Sequence, residues 1–363
     1  MTGLAENYQS TQSISHGHTF HIVADLQWIW DSFQGGAEQL SAQWQFKHDL
    51  GLWPIPHLDD KDALWIDPAS LVANNAWLER QGQPPITLLA PPQDWIGGLS
   101  RLFLGREVVL RSVAEILDMD EFGDELGDRP WSQPNEGRIS GFRAARRTLS
   151  QLKHDLRGNT DHQSPRDSAL ASADPTSPAP LDSVLMLHGH LDGITEEWMV
   201  AALDGKAFAA SPYCIHCGNP SRGSTDSEEI VTIFDLRDHS CSEDIHFDER
   251  HHQEALGIVA DALEQTHASN DFAGMLNIAF RDKKPPAILE ISPLWCSGPY
   301  GFSAQELAMI LKAIASSRIP PSASGQEGSR SIPCPDVSRA VTAMKVFKPG
   351  RWMIEHYAQR YIR

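Results

Sequence analysis

Short apolar runs of period two alternate with helical stripes along the 363-residue chain, and the two periods sort it into elements. "FHIVADLQWIW" (20–30) predicts a strand-like start, and "GGAEQLSAQWQFKH" (35–48) a helix. "APPQDWIGGLSRLFLG" (90–105) opens on a Pro-Pro breaker and continues as an amphipathic helix. "REVVLRSVAEIL" (106–117) gives a short strand and a helix start. "GDRPWSQPNEGRISGF" (127–142) is a Gly/Pro-punctuated strand and loop, and "RAARRTLSQLKHDL" (143–156) reads as helical with one basic side. "SVLMLHGHL" (183–191) is a buried-looking strand. "EEWMVAALDGKAFAASPY" (196–213) is a hairpin turned at Asp204-Gly205, a strong turn dipeptide. "EIVTIFDL" (229–236) is a further strand, and "ERHHQEALGIVADALEQTH" (249–267) a helix. "FAGMLNIAF" and "AILEIS" are strands joined by "RDKKPP", followed by the helix "SAQELAMILKAIASS" (303–317). The stretch 157–182 is rich in Ser, Pro and Asp and nearly free of large apolar residues, so it is expected to be a disordered insertion. Residues 319–336 repeat that composition as a linker, and 336–363 hold a terminal helix that docks back or meets a partner.

Glu290 is the anomaly in this pattern. It is a lone carboxylate in an apolar strand, and an unpaired buried charge is strongly disfavoured. With the hairpin centred between Lys283 and Lys284, paired residues sum to a constant, which sets Asn277 opposite Glu290 and Met275 opposite Ser292. Opposed residues share a sheet face, as do residues two apart. Asn277, Glu290 and Ser292 therefore form one polar cluster, which either faces solvent or holds a hard cation through oxygen ligands.

The bulk numbers exclude several classes. The formal net charge of −18 argues against a general nucleic-acid binder. No apolar run reaches the length of a membrane span, and the polar opening residues 1–18 read as a disordered leader without a secretory signal. Eleven tryptophans, seven of them before residue 100, indicate a packed N-terminal part. Five cysteines between Cys214 and Cys334 form no disulfide framework, and reduced thiols in the cytoplasm are expected. Cys214, Cys217, His239 and Cys241 are a weak zinc candidate; unpaired cysteines in a loop are the simpler reading. His251 and His252 read as a solvated helix face. Arg143, Arg146 and Arg147 form a small basic patch, either solvated or aimed at phosphate or an acidic peptide.

Four stretches, in order, resemble the ATP-grasp family, especially the small ATP-grasp proteins of carboxylate–amine ligase and peptide-modifying systems. They are "PPQDWIGGLSRLFLGREVVLRSVAEI", "PWSQPNEGRISGF", "HGHLDGITEEWMVAALDGKAFAASPY" and the pair "MLNIAF…AILEISPLWCSGPYGF", covering roughly 20–315. The resemblance implies an α+β, α/β-type ATP-grasp fold. Its parts are a Rossmann-like pre-ATP-grasp unit (19–92), a first α+β subdomain (93–187, with the insertion 157–182) and a second (188–317). The two subdomains enclose a cleft, and a linker and tail (318–363) follow, the tail being a candidate site for a protein partner. It also implies ATP and Mg2+ as cofactors and a small-molecule or peptide substrate activated through an acyl-phosphate. Arg138 takes the catalytic phosphate-binding place. Gln133, Arg138, His188, Gly189, His190 and Glu197 take nucleotide-binding places, and Asn277, Glu290 and Ser292 metal-binding places. This sequence departs from the family pattern in its charges. Gln133 and Arg138 stand where the pattern has lysines, Asn277 where it has Asp, Ser292 where it has Asn, and Met199 where it has Arg. The implied alternative to a ligase is a non-catalytic nucleotide- or peptide-binding descendant.

Overall fold

The computed structural model of the chain describes residues 18–24, 27–40, 44–48, 58–59, 62–135, 142–158, 178–217, 232–235, 247–319 and 343–358. The expected leader apart from His18, most of the expected insertion and linker, and the candidate residues Arg138, His239 and Cys241 lie outside them. The expected mixed α+β class is the class observed.

The N-terminal unit is a three-stranded parallel sheet, ordered β2-β1-β3. Its strands are β1 (His18–Val23), β2 (Trp44–His48) and β3 (Ala63–Ile66). Parallel strands need covered faces, and β3 is buried at every position. Two helices follow the strands, α1 (Gln27–Ala37) and α2 (Pro68–Arg80). Asp67 caps α2 by accepting from the Ser70 amide, with Pro68 at the first helical position.

This corrects the helix expected over 35–48. The helix lies earlier, and Trp44–His48 pairs with β1. The Gly35-Gly36 pair, expected to open the helix, sits inside α1. At Gly36 a Cβ would lie 2.5 Å from the Leu307 Cβ, so the glycine serves the close approach of a second helix, α7 (Ala304–Ser316). Ser303 and Glu306 close a capping box at the start of α7.

β4 (Thr87–Ala90) pairs with two short late strands, β14 (Arg318–Ile319) and β15 (Lys345–Val346). The amphipathic helix expected next is broken into a 3-10 turn (Trp95–Gly98) and a single helical turn, α3 (Arg101–Leu104). Gly97 and Gly98 weaken a continuous helix there, and Gly105 ends α3 at φ +61°.

A four-stranded antiparallel sheet follows, ordered β5-β8-β6-β7. It comprises β5 (Val108–Ser112), β6 (Trp131–Pro134), β7 (Ala145–Arg146) and β8 (Val184–His188). Leu185 and Leu187 pack one face against α4 (Val113–Asp118) and α5 (Leu149–Leu156). The register puts Trp131 and Gln133 opposite His188 and Met186, on the other face. The helix expected from Arg143 starts only at Leu149, because Thr148 and Gln151 form a capping box and Ala145–Arg146 pairs with β6. Arg147 leaves the expected basic patch. It pairs with Asp155 at 2.8 Å and lies over the Phe142 ring.

The second sheet is five-stranded and antiparallel, ordered β11-β10-β9-β12-β13. The strands are β9 (Ile194–Leu203), β10 (Lys206–Cys217), β11 (Thr232–Asp235), β12 (Gly274–Arg281) and β13 (Lys284–Ser292). The Asp204-Gly205 turn forms as expected, with both residues at positive φ. Trp198, Val200, Ala202, Leu276 and Ile278 face α6 (Arg250–Gln265), while Met199, Ala201 and Met275 face the core shared with the N-terminal unit. His251 is not solvated: its Nδ1 lies 2.9 Å from Glu196, and its ring stacks on Phe280 at 3.8 Å. Glu196 is itself buried, so it draws the imidazole inward. The terminal segment docks back as α8 (Arg351–Ala358), where Met353 and Tyr357 pack on Val72 of α2.

Candidate functional site

Asn277 pairs with Glu290, and Met275 with Ser292, the register expected from the sequence. The turn that sets it differs from the expected one. Arg281 pairs with Lys284, so the two turn residues are Asp282 and Lys283, with Lys283 at φ +53°. Two register shifts, between Ala279 and Arg281 and between Asn277 and Ile278, then add one residue each to β13. These bulges restore the expected pairing, and the second leaves Leu289 unpaired beside Glu290.

The bulge has an occupant. Arg106, from the "GREV" segment, is buried and donates to the carbonyls of Ile288 and Leu289, each at 3.0 Å, and to that of Leu104 at 3.0 Å. Its Nε donates to His188 Nδ1 at 3.1 Å. Burial, with Arg281 nearby, lowers the Arg106 pKa to about 10, and the Glu290 charge acts the other way. Burial and then the Arg106 charge push His188 down to about 3. His188 is therefore a neutral acceptor at pH 7, and Trp131 stacks on its ring at 6.4 Å and 12°. The Trp131 indole donates to His190 at 3.2 Å. Gly189 donates its amide to the Glu107 carbonyl at 3.1 Å. His188 thus belongs to a packed link between the two sheets, while His190 is exposed at its edge. Gly189 and His190 line a cavity of about 310 Å³ together with Arg101, Arg106, Arg129 and Arg146.

Glu197 is the hub of a second group. In the ladder it pairs with Ala279 on one side and Cys214 on the other. Asn277 and Cys214 therefore share its face. Asn277 Nδ2 donates to Glu197 Oε2 at 2.9 Å and to the Tyr213 hydroxyl at 2.7 Å. The Tyr213 hydroxyl donates to the same Glu197 oxygen, and His216 Nε2 lies 2.7 Å from Glu197 Oε1. Tyr213 sits at a bulge between Pro212 and Cys214, which lets it turn to the same side as Cys214. Burial pushes the Glu197 pKa up, but the hydrogen bonds from His216, Tyr213 and Asn277 outweigh it and hold it below the usual carboxylate range. Burial and the neighbouring Glu197 and Glu290 charges push Tyr213 far above its ordinary value.

One atom in this group is unsatisfied. Asn277 is 4% exposed, and its Oδ1 has no hydrogen-bond partner. Glu290 and Ser292, half-buried on the neighbouring strand, lie on the same face. Beyond them Trp295 is fully buried and donates to the Leu89 carbonyl at 2.8 Å, and Tyr300 packs on Tyr213 at 5.0 Å.

The geometry thus brings Glu197, Asn277, Glu290 and Ser292 onto one sheet face, and places Gln133 and His188 on a face of the other sheet. Sequence reasoning missed Arg106, Tyr213 and His216. Arg106 had a signal, being an arginine between a helix end and an apolar strand. His216 stands inside the Cys214-x-x-Cys217 stretch and Tyr213 just before it, but the bulge that turns them toward Glu197 leaves no mark in the periodicity. Cys214, expected in a loop, is on β10 and 2% exposed, because the Asp204-Gly205 hairpin extends that far.

No protein-family model matches the chain, and no curated protein matches it. Among solved structures, D-alanine–D-alanine ligase from Bacillus anthracis is similar at 11% identity, over 83% of this chain and 97% of that one, with a TM-score of 0.41. D-cycloserine synthetase DcsG is similar at 13% identity, over 82% and 99%, with a TM-score of 0.40. The ATP-grasp ligase PsnB, complexed with minimal precursor, Mg and ADP, is similar at 9% identity, over 82% and 97%, with a TM-score of 0.34. At these scores the likenesses are loose.

Proposed function

We propose that this chain is an ATP-grasp ligase that joins a carboxylate to an amine, on an amino acid or peptide, with ATP and Mg2+. The observation that carries the reading is the orphaned Asn277 Oδ1, buried across the ladder from Glu290. A buried acceptor without a donor is costly, and a hard cation shared with Glu290 satisfies it. The residues fit such an ion: one amide oxygen, one carboxylate and the Ser292 hydroxyl lie on one face. Bound there, magnesium supplies charge that offsets phosphate oxygens. Arg106 fixes the backbone ahead of Glu290, and Gln133, on a face of the other sheet, offers an amide to a phosphate. The reaction class is ordinary acyl activation. A carboxylate oxygen takes the terminal phosphoryl group and ADP leaves; an amine then bonds to the acyl carbon, phosphate leaves, and the amine proton passes to solvent.

The charge count favours a second reading, a non-catalytic nucleotide- or peptide-binding protein. Asn277 is neutral where the family pattern has Asp, and Gln133 is neutral where it has a lysine. Calorimetry of Mg–ATP binding to the purified chain, with Glu290→Gln as control, tests the site. Wild-type binding that the variant loses supports it, and identical curves overturn it. Trapping of an acyl-phosphate as a hydroxamate, with a panel of amino acids and peptides, then separates ligase from binder.

A further inference from the structure

We propose that Glu197, Cys214 and His216 form a second metal site, distinct from the oxygen cluster at Glu290, that takes a borderline divalent cation of the zinc type. Their ligand atoms, one carboxylate oxygen, one thiol sulfur and one imidazole nitrogen, all lie within 4.8 Å of one another. Ligand atoms around a tetrahedral zinc are separated by about three to four ångströms, given bond lengths of roughly 2.0–2.3 Å. The set is close to assembled before any ion arrives.

The strand ladder makes this arrangement, and a loop does not. Glu197 and Cys214 are direct partners between β9 and β10, and His216 is two residues further along the same face. The carboxylate is also gripped from behind, because Tyr213 and Asn277 both donate to Oε2, and an ion entering between His216 Nε2 and Glu197 Oε1 replaces the contact those two atoms now make. Outer hydrogen bonds of this kind orient a ligand and tune its affinity. Cys214 is buried, and Glu197 and His216 remain 14% and 13% exposed, which leaves a solvent-facing side for the ion.

The donor chemistry selects the ion. A sulfur, nitrogen and oxygen set prefers zinc or cobalt over magnesium or calcium, which take oxygen ligands. On binding, the thiol of Cys214 loses its proton to solvent, and His216 binds through Nε2 with its remaining proton on Nδ1. Three protein ligands leave a fourth position open, the pattern of zinc sites that hold a water or a substrate atom. This inference does not rest on the ligase reading, since it concerns a different donor set and a different ion.

Cobalt(II) is the probe, added to the full reduced chain in the absence of nucleotide. The expected result is one cobalt per chain with a thiolate-to-cobalt charge-transfer band, displaced by zinc and unmoved by excess magnesium. Cys214→Ser should abolish the band, while Cys217→Ser and Cys296→Ser keep it. His216→Ala, at a less buried ligand, should weaken binding at least tenfold with an unchanged circular dichroism spectrum, which guards against misfolding of the Cys214 variant. No band in the wild type, a band retained by Cys214→Ser, or full affinity in folded His216→Ala overturns the proposal. Mg–ATP calorimetry reads Glu290 separately, so either reading can fail while the other stands.

Discussion

Arg106 holds the backbone immediately ahead of Glu290. Its guanidinium donates to the carbonyls of both preceding residues, Ile288 and Leu289, from a loop that leads into the other sheet. The Glu290 carboxylate therefore stands on a bulge that a distant arginine stabilises. Arg106→Met strips donors from three carbonyls and from His188. The expected loss is about 3 kcal/mol or more, since each buried acceptor left without a donor costs about 1–3 kcal/mol. Arg106→Lys should lose less, because it keeps the charge without the fork. Urea denaturation of the three proteins gives the comparison, and wild-type stability in Arg106→Met would show that water replaces the guanidinium freely.

His188 makes stability pH-dependent in a defined window. Its pKa is about 3 when folded, against an ordinary 6.5. Between these values the unfolded chain binds a proton that the folded chain does not. Stability therefore falls as pH drops below 6.5, by up to about 1.4 kcal/mol per pH unit from this residue. His188→Asn keeps an acceptor for Arg106 and removes the titration. Denaturation midpoints between pH 6.5 and 5.0, above most carboxylate titrations, should slope less steeply in the variant.

Tyr213→Phe removes one of the donors that keep Glu197 ionised. The expected cost is about 1 kcal/mol at pH 7. The Glu197 pKa is depressed on folding, so its contribution is present above the unfolded value and is lost as pH falls through the folded one. With one donor gone, the depression shrinks. The difference in unfolding free energy between pH 7 and pH 4 should be smaller in Tyr213→Phe than in the wild type.

Gly35 and Gly36 are adjacent in α1 and should respond oppositely to alanine. A Cβ on Gly35 meets nothing within 4 Å, whereas one on Gly36 meets the Leu307 Cβ at 2.5 Å. Gly35→Ala should stabilise by about 0.5–1 kcal/mol through helix propensity. Gly36→Ala should destabilise by about 1–3 kcal/mol, because α7 must shift. Thermal melts of the pair decide it, and equal shifts would mean that the two helices are not held this closely.

Elements with a strong local signature were legible in the sequence. The Asp204-Gly205 hairpin, α6 and α7 show their turns and stripes directly. The pairing of Asn277 with Glu290 was also legible, through a turn centred one residue too late and two bulges that compensate for it. What the sequence hid depends on partners remote in the chain. The Gly36 contact needs Leu307, the His251 stack needs Phe280, and the Arg106 clamp needs the Leu289 bulge. The convergence of Tyr213, Cys214 and His216 on Glu197 needs a bulge, and bulges do not show as a period. A periodicity reading sees faces, and this site is built where faces are broken.

The helix α7 completes the N-terminal unit from the far end of the core, and this orders events during synthesis. Leu307, Ile310, Leu311 and Ile314 share one core with Phe20, Phe33 and Leu64, and the Trp65 indole donates to the Ser297 carbonyl, 232 positions away. As the chain emerges from the ribosome, the first strands and helices appear with one apolar side bare. They stay so until more than two hundred further residues have followed. Contacts of such long separation close late and slowly, and exposed apolar surface in the meantime invites aggregation. Truncation before residue 303 should therefore yield insoluble protein even where every earlier element is intact.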